Sequence, residues 1–237
     1  MPAGKLYLAA ASKKQGRKRR GRALMIQNKK RYNNRYSQLV ICKRPVCPEQ
    51  ILVPLKYVSE KIDILCTSGA GNYHLFNFNN CYDPDRTGTG HQPLGWDQWV
   101  AFYGIYRVIS ASVKVVAINT TDDNPFHMAL NFSGSTAGAT GVDASAEGRG
   151  KSRYGGDQQK ILSARAFRRG HSVFGVSKSQ YRNDDLYRGP TSGAPSKEGI
   201  IQIWVIPFDE ATTTTISFKA EITYYVMFQN SKLLVQS

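Results

Sequence analysis

Residues 216–228 read Ile-Ser-Phe-Lys-Ala-Glu-Ile-Thr-Tyr-Tyr-Val-Met-Phe. Ile216, Phe218, Ala220, Ile222, Tyr224, Val226 and Phe228 occupy alternate positions, with Ser217, Lys219, Glu221, Thr223 and Tyr225 between them. Side chains on a strand point alternately to its two faces, so a period of two held this long predicts a strand with one buried face. Phe218, Ile222, Tyr224 and Val226 are expected in the core, and Lys219 and Glu221 towards solvent or a neighbour.

The same rule extends outward from this strand. Residues 57–66 alternate, with Val58, Ile62, Ile64 and Cys66 on one side and Ser59, Lys61 and Asp63 on the other. Residues 73–78 form a short second strand. In 106–119, Ile109, Ala111, Val113, Val115 and Ala117 share a face; Phe126, Met128, Leu130 and Phe132 then form the return strand of a hairpin-like pair. Residues 160–168 and 171–177 are further strand candidates, and 200–206, apolar on both sides, reads as a central strand. Trp96, Trp99, Val100 and Tyr103 lie at helical spacing, with Asp97 placed to favour the helix dipole, and predict the one short helix. Residues 79–95, 133–156 and 181–197 are rich in Gly, Asp, Ser or Pro and are expected as loops at the outer surface and at subunit contacts. The expected fold class is all-β, an eight-stranded jelly roll of two packed antiparallel sheets with a disordered basic N-terminal arm.

The arm is defined by charge. Residues 5–44 hold fourteen Lys and Arg and no acid, the first carboxylate being Glu49. Removing fourteen from the thirty-two basic residues of the chain leaves eighteen against seventeen acids, so residues 46–237 carry a formal charge of only +1. Two domains follow: 1–45, a basic nucleic-acid-binding arm, and 46–237, the shell-like β body. Such an arm cannot bury enough apolar surface to offset its ordering entropy, and it needs a polyanion. Lys13, Lys14, Arg17, Lys18, Arg19, Arg20, Arg22, Lys29, Lys30, Arg31 and Arg35 are expected to neutralise phosphates, releasing condensed counterions. Tyr32 and Tyr36, interleaved with them, could stack on unpaired bases, which points to single strands. Lys13, Lys14, Arg17, Lys18, Arg19 and Arg20 also satisfy a nuclear-import signal, so host import factors are candidate partners.

Other chemistry is sparse. Cys42, Cys47, Cys66 and Cys81 match no common zinc spacing and read as free thiols, a zinc site with His74 or His91 being the minor alternative. No cofactor is expected. Gly150-Lys151-Ser152 resembles the end of a phosphate-binding loop, but Ser145 stands where that motif needs glycine. The acids occur as Asp83/Asp85, Asp122/Asp123 and Asp184/Asp185 in turn-like surroundings, where Asp bonds nearby backbone; a cation site at a subunit contact is the alternative. With scattered histidines and no nucleophile motif, no enzyme is expected. No apolar run reaches the eighteen or so residues of a membrane span.

The order of parts carries a resemblance. A basic arm and a first strand are followed by His91-Gln-Pro-Leu-Gly-Trp-Asp-Gln-Trp99, a helix ending at Tyr103, Tyr106-Arg107-Val108, a long strand, and Ile222-Thr-Tyr-Tyr-Val226 near the end. This resembles the capsid proteins of small circular single-stranded DNA viruses, the circovirus-like group. The resemblance implies a jelly roll that self-assembles into an icosahedral homo-oligomer, on the order of sixty copies, with the arm on the packaged DNA. It also implies location in the virion and, during assembly, the host nucleus. The arm is less arginine-dominated than is usual in that group, and small single-stranded RNA viruses share the design, so RNA cargo is the alternative. A cellular nucleic-acid-binding protein with a β-rich body is the second alternative; its body should carry basic residues on a folded face, which a near-neutral net charge disfavours.

Overall fold

A computed structural model describes residues 47–67, 70–121, 124–148, 150–155, 161–208 and 213–232. Its strands are β1 (Gln50–Val58), β2 (Ile62–Cys66), β3 (Asn72–Asn77), β4 (Tyr103–Asn119), β5 (Phe126–Ser133), β6 (Lys151–Tyr154), β7 (Ile161–Arg169), β8 (Gly189–Pro190), β9 (Ile200–Pro207) and β10 (Thr214–Ser231). The helices are α1 (Trp96–Phe102), α2 (Val142–Glu147), α3 (Gly170–Phe174) and α4 (Lys178–Asn183), with a 3-10 turn at Asp185–Tyr187.

All pairings are antiparallel. One sheet runs β1-β10-β4-β7, with β2 on β10 and β8 on β4, and the other runs β3-β9-β5-β6. These two four-strand paths are the jelly-roll arrangement. Strand β10 is central: its buried face presents Ile216, Phe218, Ala220, Ile222, Tyr224, Val226 and Phe228, all under 3% exposed, while Lys219 is exposed. Opposing rings close the space between the sheets. Phe76 of β3 meets Phe218 of β10 edge to face at 6.5 Å, and Trp96 of α1 lies 4.9 Å from Tyr106. Helix α1 lays Trp99 on Phe228, stacked at 6.0 Å, which is the aromatic face its spacing predicts.

The described strands number ten, not eight. Strands β1 and β2 lie end to end along β10, and the predicted strand at 57–66 merges the two. At the break, Ser59 keeps the ladder intact: its N–H donates to the Ala220 carbonyl at 2.8 Å and its hydroxyl accepts from the Ala220 N–H at 2.9 Å. The break also shifts the parity, so Tyr57 is buried and Val58, expected with Ile64, is exposed. Strand β1 continues through Pro54 because it is an edge strand, where a missing N–H costs no ladder bond. Strand β8 is a two-residue ladder on Ile105 and Tyr106.

In β4 the predicted face holds from Ala111 to Ala117 but not at Ile109. A bulge opposite Tyr225 and Val226 leaves Ile109 unpaired, so Val108 and Tyr106 take over the core side. Residues 171–177, expected as a strand, are largely α3. Gly170 packs so closely on the Tyr181 ring that an added Cβ would lie 2.2 Å away, and Gly175 ends the helix at φ +67°. Helices α2, α3 and α4 therefore join α1, where one helix was expected.

Two expected loops are also more structured than their composition suggests. Residues 133–156 contain α2 and β6, which pairs with β5 from Leu130↔Lys151 to His127↔Tyr154. In 79–95, Asn79, Asn80 and Cys81 are buried: the Asn79 amide donates to the Lys197 carbonyl and accepts from the Gly199 N–H, both at 2.9 Å.

Candidate nucleic-acid and assembly surfaces

Every residue singled out for nucleic-acid binding or nuclear import, from Lys13 to Tyr36, lies outside the described residues, as do Cys42, Asp122 and Asp123. The body forms one compact unit, Val46–Ser237, and its geometry is that of its described residues.

The sequence candidates fall into structural roles. Asp85 is buried; its Oδ1 accepts from the Thr87 N–H at 3.0 Å and the Thr87 hydroxyl at 2.8 Å, and lies 3.1 Å from His74 Nε2. Burial pushes its carboxyl up, but the bonds from His74 and Thr87 outweigh burial and leave it below the ordinary Asp value. Burial and the Asp85 charge raise the neighbouring Asp83. Asp184 accepts from the Leu186 N–H at 2.9 Å, and Asp185 pairs with Arg188 at 2.7 Å. Asp85, Asp184 and Asp185 thus organise turns. Among the described residues no cluster of three His, Cys, Asp or Glu side chains could hold a metal ion. Cys47, Cys66 and Cys81 are free thiols, and burial raises the pKa of the latter two. Lys151 and Ser152 sit in β6 rather than in a loop opening a helix, so no phosphate-binding loop forms. Asn119 and Asn131, which begin the chain's two Asn-x-Ser/Thr sequences, are buried in strands.

The near-neutral net charge hides a segregation. The strands of the β10 sheet contain Lys56, Arg107, Lys114, Arg165, Arg168, Arg169 and Lys219 against two acids, Asp63 and Glu221. On the outward face the register sets Glu221 beside Lys114 and Lys114 beside Arg165. Lys56 and Lys114 both bond Glu221, at 2.9 and 3.1 Å, and their hydrogen bonds hold its carboxyl below the usual range. On edge strand β7, Arg165, Phe167 and Arg169 are exposed and alternate with buried or half-buried residues. Phe167 is 48% exposed and meets Tyr225 edge to face at 6.2 Å.

Beyond Arg169 the chain turns into α3 and α4, which bound a cleft of about 240 Å³ whose lining includes Arg169, His171, Lys178 and Arg182 and no carboxylate residue. Behind it Arg107 is 1% exposed, its guanidinium donates to the Tyr181 carbonyl, and its Nε has no partner. Burial lowers the Arg107 pKa. Sequence reasoning missed this face, although its signal was legible: Arg165-Ala-Phe-Arg-Arg169 places an aromatic between two arginines on the polar side of a predicted strand.

No protein-family model matches the chain, and no curated protein matches it. Solved structures similar to it include Desmodium yellow mottle tymovirus, at 12% identity and a TM-score of 0.41 over 85% of this chain and 99% of that one. The empty head of turnip yellow mosaic virus is similar at 10% identity and 0.43 over 85% and 92% of the two chains. The decameric BFDV capsid protein is similar at 15% identity and 0.39 over 76% and 99%. At such values they stand as likenesses, and the fold rests on the strand pairing above.

Proposed function

We propose that the chain is a viral capsid protein with no enzymatic role. In this reading the jelly roll of residues 46–237 assembles into a small icosahedral shell, on the order of sixty copies. The arm of residues 1–45 packages single-stranded nucleic acid, with DNA favoured by the resemblance of the 91–108 and 222–226 segments to circovirus-like capsid proteins. The observation that carries the reading is the joining of two features in one chain: a jelly roll of two four-strand paths, and an excess charge confined to residues 5–44. The basic cluster from Lys13 to Arg20 would serve nuclear import before assembly, placing the protein in the host nucleus and then the virion.

Electron microscopy of the purified chain, with absorbance at 260 and 280 nm, tests the proposal. Closed particles containing nucleic acid are expected. Monomers free of nucleic acid at low salt would overturn both the shell and the packaging role.

A further inference from the structure

We propose that the outward face of β7, together with Tyr225 and the cleft beyond Arg169, is a second binding surface for single-stranded nucleic acid, on the folded body and separate from the arm. The proposal deepens the packaging reading above, but its geometry stands without the shell. Arg165, Phe167 and Arg169 share one face of an edge strand, about 6.6 Å apart from one to the next at the usual rise. Phe167 touches Tyr225 but stays 48% exposed between the two arginines, which leaves much of its ring open to a ligand. Unpaired bases offer a π-face to such a ring, and the phosphates on either side of the base meet the flanking guanidinium groups.

The cations along this line are available. Among the described residues Arg165, Arg169, Lys178 and Arg182 enter no ion pair, whereas Lys56 and Lys114 are already engaged by Glu221. The acids that follow α4 are occupied as well, Asp184 by the Leu186 N–H and Asp185 by Arg188. The cleft continues the line with Arg169, His171, Lys178 and Arg182 and gives a phosphate a concave seat without a facing carboxylate residue. The aromatic ring decides the ligand class. A sulfated polysaccharide would satisfy the cations but brings no base to stack on Phe167, and a duplex keeps its bases covered.

The test uses the full chain and a short oligothymidylate carrying one 5-iodouracil, photo-crosslinked and mapped by mass spectrometry. Adducts on Phe167 or Tyr225 are expected beside any on the arm tyrosines. Phe167→Ala should remove the Phe167 adduct and weaken oligonucleotide binding about fivefold or more, with an unchanged melting midpoint. The combined Arg165→Gln, Arg169→Gln and Arg182→Gln variant should reduce the slope of log affinity against log salt by about 2, some 0.7 for each phosphate contact on a single strand. Adducts confined to residues 1–45, an unchanged salt slope, or heparin binding without any body adduct would each overturn the surface. So would a Phe167→Ala chain that binds normally but no longer forms particles, since Phe167 would then be a subunit contact. Microscopy of the same preparations separates the two readings: monomers with a Phe167 adduct refute the shell alone, and particles without one refute this surface alone.

Discussion

The Tyr224 hydroxyl of β10 donates to the Asn77 carbonyl of β3 at 2.8 Å, a hydrogen bond that crosses the core from one sheet to the other. Both residues are buried, Tyr224 at 0% exposure, and burial drives the phenol far above its ordinary pKa, so it remains a donor. The bond ties the two sheets together inside the packed core.

Tyr224→Phe should therefore cost about 1–3 kcal/mol, because the carbonyl loses a partner in a site water does not reach. The adjacent Tyr225 points outward, and Tyr225→Phe should change stability by less than about 0.5 kcal/mol. Urea unfolding of the two variants checks this; equal effects would mean that the parity of β10 is wrong.

Parity is tested again one turn of the pleat away. Ile222 is fully buried while Lys219 is exposed. Ile222→Ala should cost about 2–5 kcal/mol through the cavity it leaves, and Lys219→Ala about 0.5 kcal/mol or less. Soluble yield and denaturant midpoints give the comparison directly.

These strands were legible because their pattern is local. In β10 the buried apolar side chains are two residues apart, and β9, buried on both faces between β3 and β5, shows the apolar run of a central strand, interrupted by Gln202. What stayed hidden depends on partners far away in the chain. The Ile109 bulge is visible only against Tyr225 and Val226, and the β1–β2 break is bridged by Ala220, 161 residues from Ser59. Strand β6 is a short charged edge held by backbone pairing, so Lys-Ser-Arg-Tyr carries no hydrophobic signal. The basic face was hidden for another reason. Net charge sums over the surface and masks it: alternation within one strand already puts Arg165, Phe167 and Arg169 on one face, and the register adds Lys114 beside Arg165.

His127 of β5 gives the body a pH dependence. Its ring is 3% exposed, stacks on Tyr154 at 3.9 Å, and has no partner at Nε2. Burial lowers its pKa, with the Asp143 charge opposing. Above about pH 6.5 the ring is neutral in both folded and unfolded chains and contributes no slope. As pH falls below that value the unfolded chain takes up a proton that the folded chain resists. Stability then drops, by at most about 1.4 kcal/mol per pH unit, until the folded value is reached. Urea midpoints at pH 7.5 and 5.5 should differ more for the wild type than for His127→Phe, which keeps the stacking and removes the proton. An identical pH response in the two proteins would show that His127 titrates normally.

The arm is expected to act through charge rather than base sequence. In the proposed shell, fourteen Lys and Arg per chain in about sixty chains would place roughly 840 positive charges in one cavity, on the scale of a genome of about a thousand phosphates with ions supplying the remainder. Removing residues 1–44 should leave a folded body and particles that have lost most of their nucleic acid; the content that remains measures the β7 face. Neutralising Arg17, Lys18, Arg19 and Arg20 to Gln should give a partial loss, since the salt-dependent term is roughly additive over phosphates contacted. For the intact chain, binding to single strands should fall steeply between 50 and 200 mM salt, which are about the limits over which counterion release is large, and should differ little between oligonucleotides of unrelated sequence. Filter-binding titrations across that range distinguish the cases. A flat salt response, or a strong preference for one sequence, would mean that the arm reads bases instead of neutralising phosphates, and the charge count would then say nothing about packaging.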